Sequence, residues 1–339
     1  MLKNKRFIMS SRFFARFLIF IFLLLLLQSI IFGISYIALI KNKPIDFFGI
    51  TNIQKNIYFE GYRNIWQSNE ECVDFDEELI YIPRHGSCNF KNPEFDTTLD
   101  FYNLGRKNEN NFDEDEIKNN GIAVLGDSFA MGWGVENNET FSSLLEKELK
   151  RKVYNLAVSS YATYREFLRF NKSKLIDSVD TIIIQYNPND LKENLDLKIK
   201  NKDENREIFE FIVKNQKMNI FKRLKFILGQ FKSSFRLMFL DFRNILFKKK
   251  TSTLNFDKHY VALIKVLKKF KNVKNKNIIF FNVDKEIFFY NYPEGFDKTF
   301  SNINFINISL TKDDFFLLDE HLNSLGHQNV ANQLKVYLK

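Results

Sequence analysis

The chain has 339 residues, 45% of them hydrophobic, which is enough for one ordinary globular domain with a sizeable core and appendages. Its formal net charge is +9, but five of the excess basic residues precede the first apolar run: Lys3, Lys5, Arg6, Arg12 and Arg16. Because basic charge alone supplies only non-specific affinity, and no zinc spacing or glycine-rich phosphate loop occurs, the sequence predicts neither a nucleic-acid partner nor a metal or organic cofactor.

Residues 17–40 are uncharged and almost wholly apolar. About 20 helical residues cross the hydrocarbon core of a bilayer, so this run predicts a transmembrane helix. The alternative is a cleaved signal peptide, but its apolar region is usually about 7–15 residues long and ends in small residues, and no A-x-A site follows here. Basic residues crowd the N-terminal flank, which predicts a cytoplasmic tail at 1–16 and an extracytoplasmic (periplasmic) chain from about residue 41, at the inner (plasma) membrane.

Residues 41–120 are polar and aromatic, and we interpret them as an extracytoplasmic lead-in that packs on the main domain and ends in an acidic, Asn-rich linker. This lead-in contains both cysteines, Cys72 and Cys88, on either side of a short segment with Pro83 and Gly86. Since an extracytoplasmic compartment allows disulfides, we expect a bridge between them; two unlinked thiols are the alternative.

Short apolar runs alternate with helical patterns from residue 121 onward, which predicts βαβ units and a mainly parallel sheet covered on both faces. Strands are expected at 121–126, 153–158, 181–185, 277–283 and 304–310. Helices are expected at 140–150, with Thr140 as its cap, at 161–175, at 257–270 and from about residue 324.

An insertion at about 191–256 separates the third and fourth strands. Within it, residues 214–250 hold eleven Lys or Arg and one acidic residue, Asp241, interleaved with apolar residues at helical spacing. This pattern is typical of an amphipathic helix at an anionic membrane surface. Helices packed on the core with a solvated basic face are the alternative.

Polar residues follow the predicted strands at their C-terminal ends, where an open α/β sheet places its ligand crevice. Gly126-Asp127-Ser128 follows the first strand, and the glycine permits a tight turn that exposes the serine. Alone, this tripeptide also fits a structural serine. Past the third strand, Asn189 can offer a side-chain N–H to an oxyanion, although Asn-Pro-Asn-Asp is also good turn chemistry.

A histidine with a nearby carboxylate lies just before the final helix, in residues 318–327 (LDEHLNSLGH). A nucleophilic serine needs a base within hydrogen-bond reach, and the base needs an orienting group on its other nitrogen. His321, with Asp319 two residues earlier, supplies both.

In their order and spacing these segments resemble the blocks of the SGNH/GDSL hydrolases, in particular the group with an N-terminal membrane anchor. The resemblance covers about residues 121–339 and is carried by Gly126-Asp127-Ser128, Asn155, Asn189-Asp190 and the Asp319/His321 segment; more weakly, residues 94–106 are similar to the lead-in of that group. It implies a flavodoxin-like αβα sandwich with Ser128 as nucleophile, His321 as general base and Asp319 as orienting acid. By the same likeness, Asn189 and the backbone N–H groups of Ser128 and Ser160 would form the oxyanion hole.

The chain departs from the family pattern at three points. Glycine usually stands at the positions of Ser160 and Asn187. Because asparagine tolerates a left-handed backbone, the change at Asn187 is expected to cost little. The acid often lies three residues before the histidine rather than two, which leaves Asp314 as a second candidate. Of the remaining histidines, His327 is expected to pack inside the final helix and His259 to lie on a helix surface, while His85 has no matching context.

These features predict a serine esterase or O-acyltransferase that acts through an acyl-enzyme on O-acyl groups, acetyl among them, of a cell-surface or exported glycan. One alternative is a lipid or lysophospholipid esterase, suggested by the basic segment. The other is a non-catalytic glycan-binding or assembly protein of the envelope, suggested by the lost glycines. The expected partners are an acylated glycan or lipid, and the membrane through residues 17–40 and the basic segment 214–250.

Overall fold

The computed structural model describes residues 11–47, 50–108, 117–198, 200–214, 256–283 and 302–338 and, between 225 and 236, residues 225–226, 229–231, 233–234 and 236. The chain divides into two compact units. The first comprises Met1–Tyr62 and Asn219–Lys249, and the second comprises Arg63–Met218 and Lys250–Lys339. Most of the basic segment predicted at 214–250 lies outside the described residues.

The first unit contains the long N-terminal helix α1 (Ser11–Ile40), the shorter α2 (Ile50–Ile57) and a π-helical turn at Tyr58–Tyr62. Its stretch Phe13–Ile40 has 28 residues and a mean hydropathy of 2.9 in its most apolar window. By length and composition this helix is sufficient to cross a membrane, as the apolar run at 17–40 predicts.

The second unit is built on an eight-stranded mixed sheet, beside which β1 (Val73–Asp76) and β2 (Ile80–Pro83) form a separate antiparallel pair. In chain order the strands of the large sheet are β3 (Gly86–Asn92), β4 (Phe95–Tyr102), β5 (Gly105–Arg106), β6 (Gly121–Leu125), β7 (Val153–Asn155), β8 (Val179–Gln185), β9 (Asn277–Asn282) and β10 (Ile303–Asn307). Their spatial order is β10-β9-β8-β6-β7-β5-β4-β3. The strands from β6 to β10 are parallel and follow the flavodoxin-like order 2-1-3-4-5.

Helices cover both faces of the sheet. They are α3 (Ser128–Met131), α4 (Phe141–Leu149), α5 (Thr163–Lys172), α6 (Leu191–Asp196), α7 (Lys202–Lys214), α8 (Phe256–Lys269) and α9 (Ser324–Leu334). Ile122 and Val124 of β6 belong to a core cluster with residues of α4 and α9, whereas Ala123 and Leu125 belong to a second cluster with residues of α5 and α8. Because successive side chains of a strand point to opposite faces, this division confirms the predicted αβα arrangement with a parallel sheet in the middle layer.

The lead-in is part of the same sheet. β3, β4 and β5 extend it by antiparallel pairing, and Arg106 pairs with Asn155 of β7. The boundary expected at residue 120 therefore falls inside the second unit, because strands from both sides of it share backbone hydrogen bonds. Cys72 and Cys88, the pair expected from the sequence, are joined in a disulfide with their Cα atoms 5.2 Å apart.

Some elements differ from their predicted bounds. β7 ends at Asn155 rather than at residue 158, although the N–H of Val158 still donates to the carbonyl oxygen of Gly126 at 3.0 Å. The expectation that His259 lies on a helix surface is wrong. Its side chain is only 5% exposed and is hydrogen-bonded through Nδ1 to the Tyr186 hydroxyl, because that face of α8 packs onto the end of β8.

Candidate active site

The nucleophile candidate follows the central strand β6 through a turn that requires glycine. Gly126 has φ 149°, and a Cβ atom at this position would lie 2.6 Å from the Cβ of Ala130. Asp127 then caps α3 by accepting a hydrogen bond from the N–H of Phe129 at 2.9 Å. Ser128 is the first residue of α3, so its own N–H has no acceptor within the helix.

A buried arginine from the lead-in holds the loop after this helix. The Arg106 guanidinium donates to the carbonyl oxygen of Met131 at 2.7 Å and also to those of Gly132 and Val135. Burial lowers the pKa of Arg106 to about 10, so the group stays protonated at neutral pH. The backbone after α3 is thereby fixed by a residue on β5.

Ser128, His321 and Asp319 form one hydrogen-bonded chain. Ser128 Oγ lies 2.7 Å from His321 Nε2, and His321 Nδ1 is hydrogen-bonded to Asp319 Oδ1. His321 is 7% exposed and Asp319 is 2% exposed. A carboxylate on Nδ1 favours the tautomer that carries its proton there, which leaves Nε2 to accept the serine proton.

The imidazole of His321 packs against two aromatic rings. The Phe129 ring centroid lies 4.7 Å away on α3, and the Trp133 ring is stacked at 4.7 Å with an interplanar angle of 14°. Arg63 approaches the same group, with its Nε 3.3 Å from Asp319 Oδ2 and its guanidinium carbon 4.9 Å from the Trp133 ring centroid. The plane of the base and the orientation of the acid are thus both set by neighbouring side chains.

Glu94, between β3 and β4, secures the loop that carries the acid and the base. Its Oε2 accepts hydrogen bonds from the backbone N–H groups of Leu318 and Asp319, both at 2.8 Å. Burial raises the pKa of the Glu94 carboxyl, and the two N–H donors oppose this effect because they stabilise its charged form.

Asn187 ties the third loop of the site to the first. Its Nδ2 donates to Asp127 Oδ2 at 2.9 Å, and its Oδ1 accepts from the N–H of Asn189 at 3.3 Å. Asn187 has φ −121°, so the left-handed geometry considered for this position is not adopted. Asparagine in place of glycine therefore costs no backbone strain here and adds a hydrogen-bonded link.

Ser160, by contrast, adopts φ 61°, in the left-handed region that glycine enters without strain. Side chains hold the backbone there. Gln67 donates to Ser160 Oγ at 2.9 Å and accepts from Ser159 Oγ at 3.0 Å. The Tyr81 hydroxyl donates to the Ser159 carbonyl oxygen at 2.6 Å, and Arg165 donates to that of Ser160 at 2.7 Å.

Three N–H groups of residues that line the pocket are the predicted donors of the oxyanion hole. They belong to the backbone of Ser128, the backbone of Ser160 and the side-chain amide of Asn189, and in the part of the chain that the structure describes none of them donates to a protein acceptor. All three residues line one pocket together with His321. The residues predicted as nucleophile, base and oxyanion donors therefore line a single cleft, and Asp319 adjoins it through its hydrogen bond to His321.

Two buried carboxyl groups lie beneath the Asn189 turn. Asp190 Oδ2 accepts from Thr163 Oγ1 at 2.7 Å and from the Thr163 N–H at 3.2 Å, which links the turn to the start of α5. Burial raises the pKa values of both Asp190 and Glu166. Repulsion raises them further, from Asp127 in the case of Asp190 and from Asp190 in the case of Glu166.

The second candidate for the acid lies elsewhere. Asp314 accepts from Asn329 Nδ2 at 2.6 Å and from Thr311 Oγ1 at 3.0 Å, so it stabilises the turn before the last segment instead of orienting His321. His327 is buried and accepts the Phe141 N–H at 3.2 Å, as expected for a packed helix residue. Burial lowers the pKa of His327 to about 3.

Several residues that hold the site were not singled out from the sequence: Arg63, Gln67, Glu94, Trp133 and Arg165. Glu94 and Arg106 are the first and last residues of the segment 94–106, which weakly resembles the lead-in of the anchored group. That resemblance was the one signal in the sequence that this segment contributes to the site. Among the described residues, no group of three or more His, Cys, Asp or Glu side chains is arranged to hold a metal ion.

The pocket has a volume of about 780 Å³ and extends from Ser128 past α5 to the ends of α6 and α7. Ten of its 22 lining residues are Asp, Glu, Lys or Arg, and four are Ile, Phe, Ala or Leu. This volume is larger than an acetyl group requires and lies in the range that admits a ligand of several rings.

No protein-family model and no curated protein sequence matches the chain. Similar solved structures include a carbohydrate esterase family 2 enzyme from Corynascus thermopiles (Myceliophthora fergusii), with 12% identity over 67% of this chain and 69% of that one, at a TM-score of 0.33. An acetyl xylan esterase from Butyrivibrio proteoclasticus has 15% identity over 69% and 67% of the two chains, at a TM-score of 0.36. An acetyl-xylooligosaccharide esterase from Geobacillus has 12% identity over 64% and 93%, at a TM-score of 0.31.

All three are esterases by description, the enzyme class that the sequence motifs resemble. The similarity in each pair is low, and the function proposed below depends on the geometry of the site.

Proposed function

We propose that the chain is a membrane-anchored serine esterase of the SGNH/GDSL type, which acts on O-acyl esters of a cell-surface or exported glycan. The observation that carries the proposal is the 2.7 Å separation of Ser128 Oγ and His321 Nε2, with His321 Nδ1 bonded to the buried Asp319. A non-catalytic binding domain has no need for a base at this distance from an otherwise ordinary hydroxyl.

In the proposed reaction, Ser128 Oγ attacks the ester carbonyl carbon while His321 Nε2 takes the hydroxyl proton. The N–H groups of Ser128, Ser160 and Asn189 stabilise the negative charge that develops on the carbonyl oxygen; one such donor typically contributes about 3–4 kcal/mol. The intermediate then expels the sugar hydroxyl, which receives the proton from His321, and leaves an acyl group on Ser128.

Deacylation repeats these steps in reverse order. His321 takes a proton from the incoming hydroxyl group, whose oxygen attacks the acyl carbon. The bond from that carbon to Ser128 Oγ then breaks, and His321 returns the proton to Ser128 Oγ. Water as the nucleophile gives hydrolysis, and a sugar hydroxyl gives transfer of the acyl group. Both outcomes use the same residues, so the choice depends on which hydroxyl occupies the pocket.

The lining of the pocket supports a glycan substrate over a lipid. A long acyl chain is stabilised by apolar walls, whereas only four of the 22 lining residues are Ile, Phe, Ala or Leu. The lipid alternative depends on the basic segment 214–250, most of which lies outside the described residues.

We further propose that α1 anchors the protein, with residues 1–16 in the cytoplasm and the catalytic unit in the periplasm. The supporting observations are the apolar length of the helix, the basic residues that precede it, and a disulfide between Cys72 and Cys88, which an oxidising compartment maintains.

The test is hydrolysis of p-nitrophenyl acetate by the full-length chain in detergent. We expect Ser128→Ala to lower kcat/KM by at least about 1,000-fold, since removal of the nucleophile leaves only binding and oxyanion stabilisation. Ser87→Ala is the matched control, because Ser87 is exposed on β3 and does not line the pocket. Equal rates for the wild type and Ser128→Ala would instead support a binding role.

A covalent readout is independent of the choice of ester. A fluorophosphonate probe should add its phosphonyl group to the peptide that contains Ser128, and His321→Ala should slow this labelling. Labelling at any other serine would refute the assignment of the nucleophile.

A further inference from the structure

One side of the pocket is lined by charged residues of α6 and of the segment before α7, which we call the rim. They are Lys192, Asp196, Lys198 and Lys200. All four are exposed to solvent, so their charges remain available to a ligand that enters the pocket.

Most other charges in the pocket are already paired. Arg165 Nε lies 2.8 Å from Glu193 Oε1, and Arg63 pairs with Asp319. Glu78 Oε2 lies 2.7 Å from the ammonium group of Lys172, outside the pocket. Asp127 accepts hydrogen bonds from Phe129 and Asn187.

The rim differs from the rest of the pocket in this respect. Within the described residues, Lys192, Lys198 and Lys200 have no carboxylate partner, and Asp196 has no cationic one. Three positive charges against one negative charge leave the rim with an excess of about two positive charges. A local excess of positive charge on one side of a cleft raises the concentration of anionic ligands there.

We propose that the substrate of this site is an acidic glycan, whose carboxylate, sulfate or phosphate groups contact the lysine rim while the O-acyl group reaches Ser128. The inference rests on the proposed esterase function and names its substrate class. A neutral glycan can only accept hydrogen bonds from the three lysines, whereas a polyanion also gains an electrostatic attraction at each of them. Lysine suits this role because its ammonium group on a flexible stem follows anions along a chain without demanding one geometry.

The experiment measures competitive inhibition of p-nitrophenyl acetate hydrolysis by the full-length chain, so it does not depend on the identity of the acyl group. The inhibitors are oligogalacturonate, which carries carboxylates, sulfated dextran oligomers and neutral dextran oligomers of matched length. At low salt we expect at least one anionic inhibitor to have an inhibition constant about ten-fold or more below that of the neutral one. The difference should shrink as the salt concentration rises, because exposed charges are screened.

The variant Lys192→Glu/Lys198→Glu/Lys200→Glu should raise the inhibition constant of the anionic oligomer by about ten-fold or more and leave that of the neutral oligomer within about two-fold. The matched control is Lys147→Glu/Lys268→Glu/Lys274→Glu, which changes the net charge equally at exposed lysines outside the pocket and should behave as the wild type. If the inhibition constant of the anionic oligomer rises as much in the control as in the rim variant, only the overall charge of the protein matters. That result would overturn the proposal.

Two further results would overturn the inference. One is a wild type that binds anionic and neutral oligomers equally. The other is inhibition by anionic lysophospholipid micelles but by none of the anionic oligosaccharides, which would identify a lipid substrate. Because hydrolysis of p-nitrophenyl acetate and its loss in Ser128→Ala are measured in the same assay, failure of this inference is distinguishable from failure of the esterase proposal.

Discussion

Replacement of Glu94 tests whether the lead-in holds the catalytic loop. Glu94 Oε2 accepts two backbone N–H groups at 2.8 Å, from Leu318 and from Asp319 itself. A hydrogen bond to a charged group contributes about 1.5–3 kcal/mol. The burial that raises the pKa of Glu94 offsets part of this gain, so we expect Glu94→Ala to lower the free energy of unfolding by about 3 kcal/mol.

The effect on activity should be larger than the effect on stability suggests. Leu318 and Asp319 lead directly into His321, so a loosened loop displaces both the acid and the base relative to Ser128. A displacement of about 1 Å costs about 100-fold in rate, which is the decrease in kcat/KM that we expect for Glu94→Ala.

Glu94→Gln is the matched control, since its amide oxygen can accept the same two N–H groups. Hydrogen bonds to a neutral acceptor are about half as strong, so this variant should lose about 1 kcal/mol of stability and less than about ten-fold in kcat/KM. The assays are p-nitrophenyl acetate hydrolysis and urea unfolding followed by tryptophan fluorescence. If Glu94→Ala keeps more than half of the wild-type kcat/KM, other contacts hold the loop and the reasoning is refuted.

Three further predictions concern the supports of the fold and the site. Cys72→Ala/Cys88→Ala should lower the free energy of unfolding by about 3 kcal/mol, because the disulfide closes a loop with a sequence separation of 16. Thermal melting in non-reducing buffer measures the loss of stability, and an unchanged melting midpoint would contradict the prediction. His327 has a pKa of about 3 when folded and 6.5 in the unfolded chain, so the unfolded state binds the proton first and stability falls as the pH drops from 6.5 towards 3, by about 2 kcal/mol at pH 5. Urea titrations should show this slope in the wild type and a flatter one in His327→Gln, and equal slopes would refute the assignment. Gln67→Ala should lower kcat by about ten-fold with little change in KM, since it removes two hydrogen bonds from the loop of Ser160. Gln67→Glu should recover part of the lost kcat, because its carboxylate can accept hydrogen bonds from the hydroxyl groups of both Ser159 and Ser160.

The parallel part of the sheet could be predicted because its strands are buried on both faces. Residues 181–185 and 277–282 are short runs rich in Ile and Phe with polar residues on either side, and this local pattern marks a central strand without any knowledge of its partners. Residues at the C-terminal ends of such strands lie at one edge of the sheet. The positions of Ser128 and Asn189 in one cleft follow from this rule.

The contacts of the lead-in could not be predicted in the same way. β5 has two residues, too few for any periodicity, and Arg63 meets Asp319 across 256 positions of sequence. His259 was misplaced for a related reason: periodicity identifies the helix, but the depth to which each of its faces is buried depends on neighbours such as Tyr186, which are distant in sequence. Backbone strain at Ser160 likewise depends on the side chains that hold its loop.

The contacts made by the lead-in have one physical feature in common. Its residues hold four different parts of the site: Arg106 holds the loop after α3, Gln67 and Tyr81 the loop of Ser160, Glu94 the backbone of the acid and base, and Arg63 the carboxylate of the acid.

Without this segment, the parallel strands from β6 to β10 would retain their own ladder. The site would lose the donors and acceptors that now satisfy Asp319, the carbonyl groups after α3 and the left-handed turn at Ser160. A buried carboxylate deprived of its partner is among the most destabilising defects in a protein. The proposed catalytic geometry therefore requires the lead-in, even though Ser128, His321 and the proposed oxyanion donors all lie downstream of it.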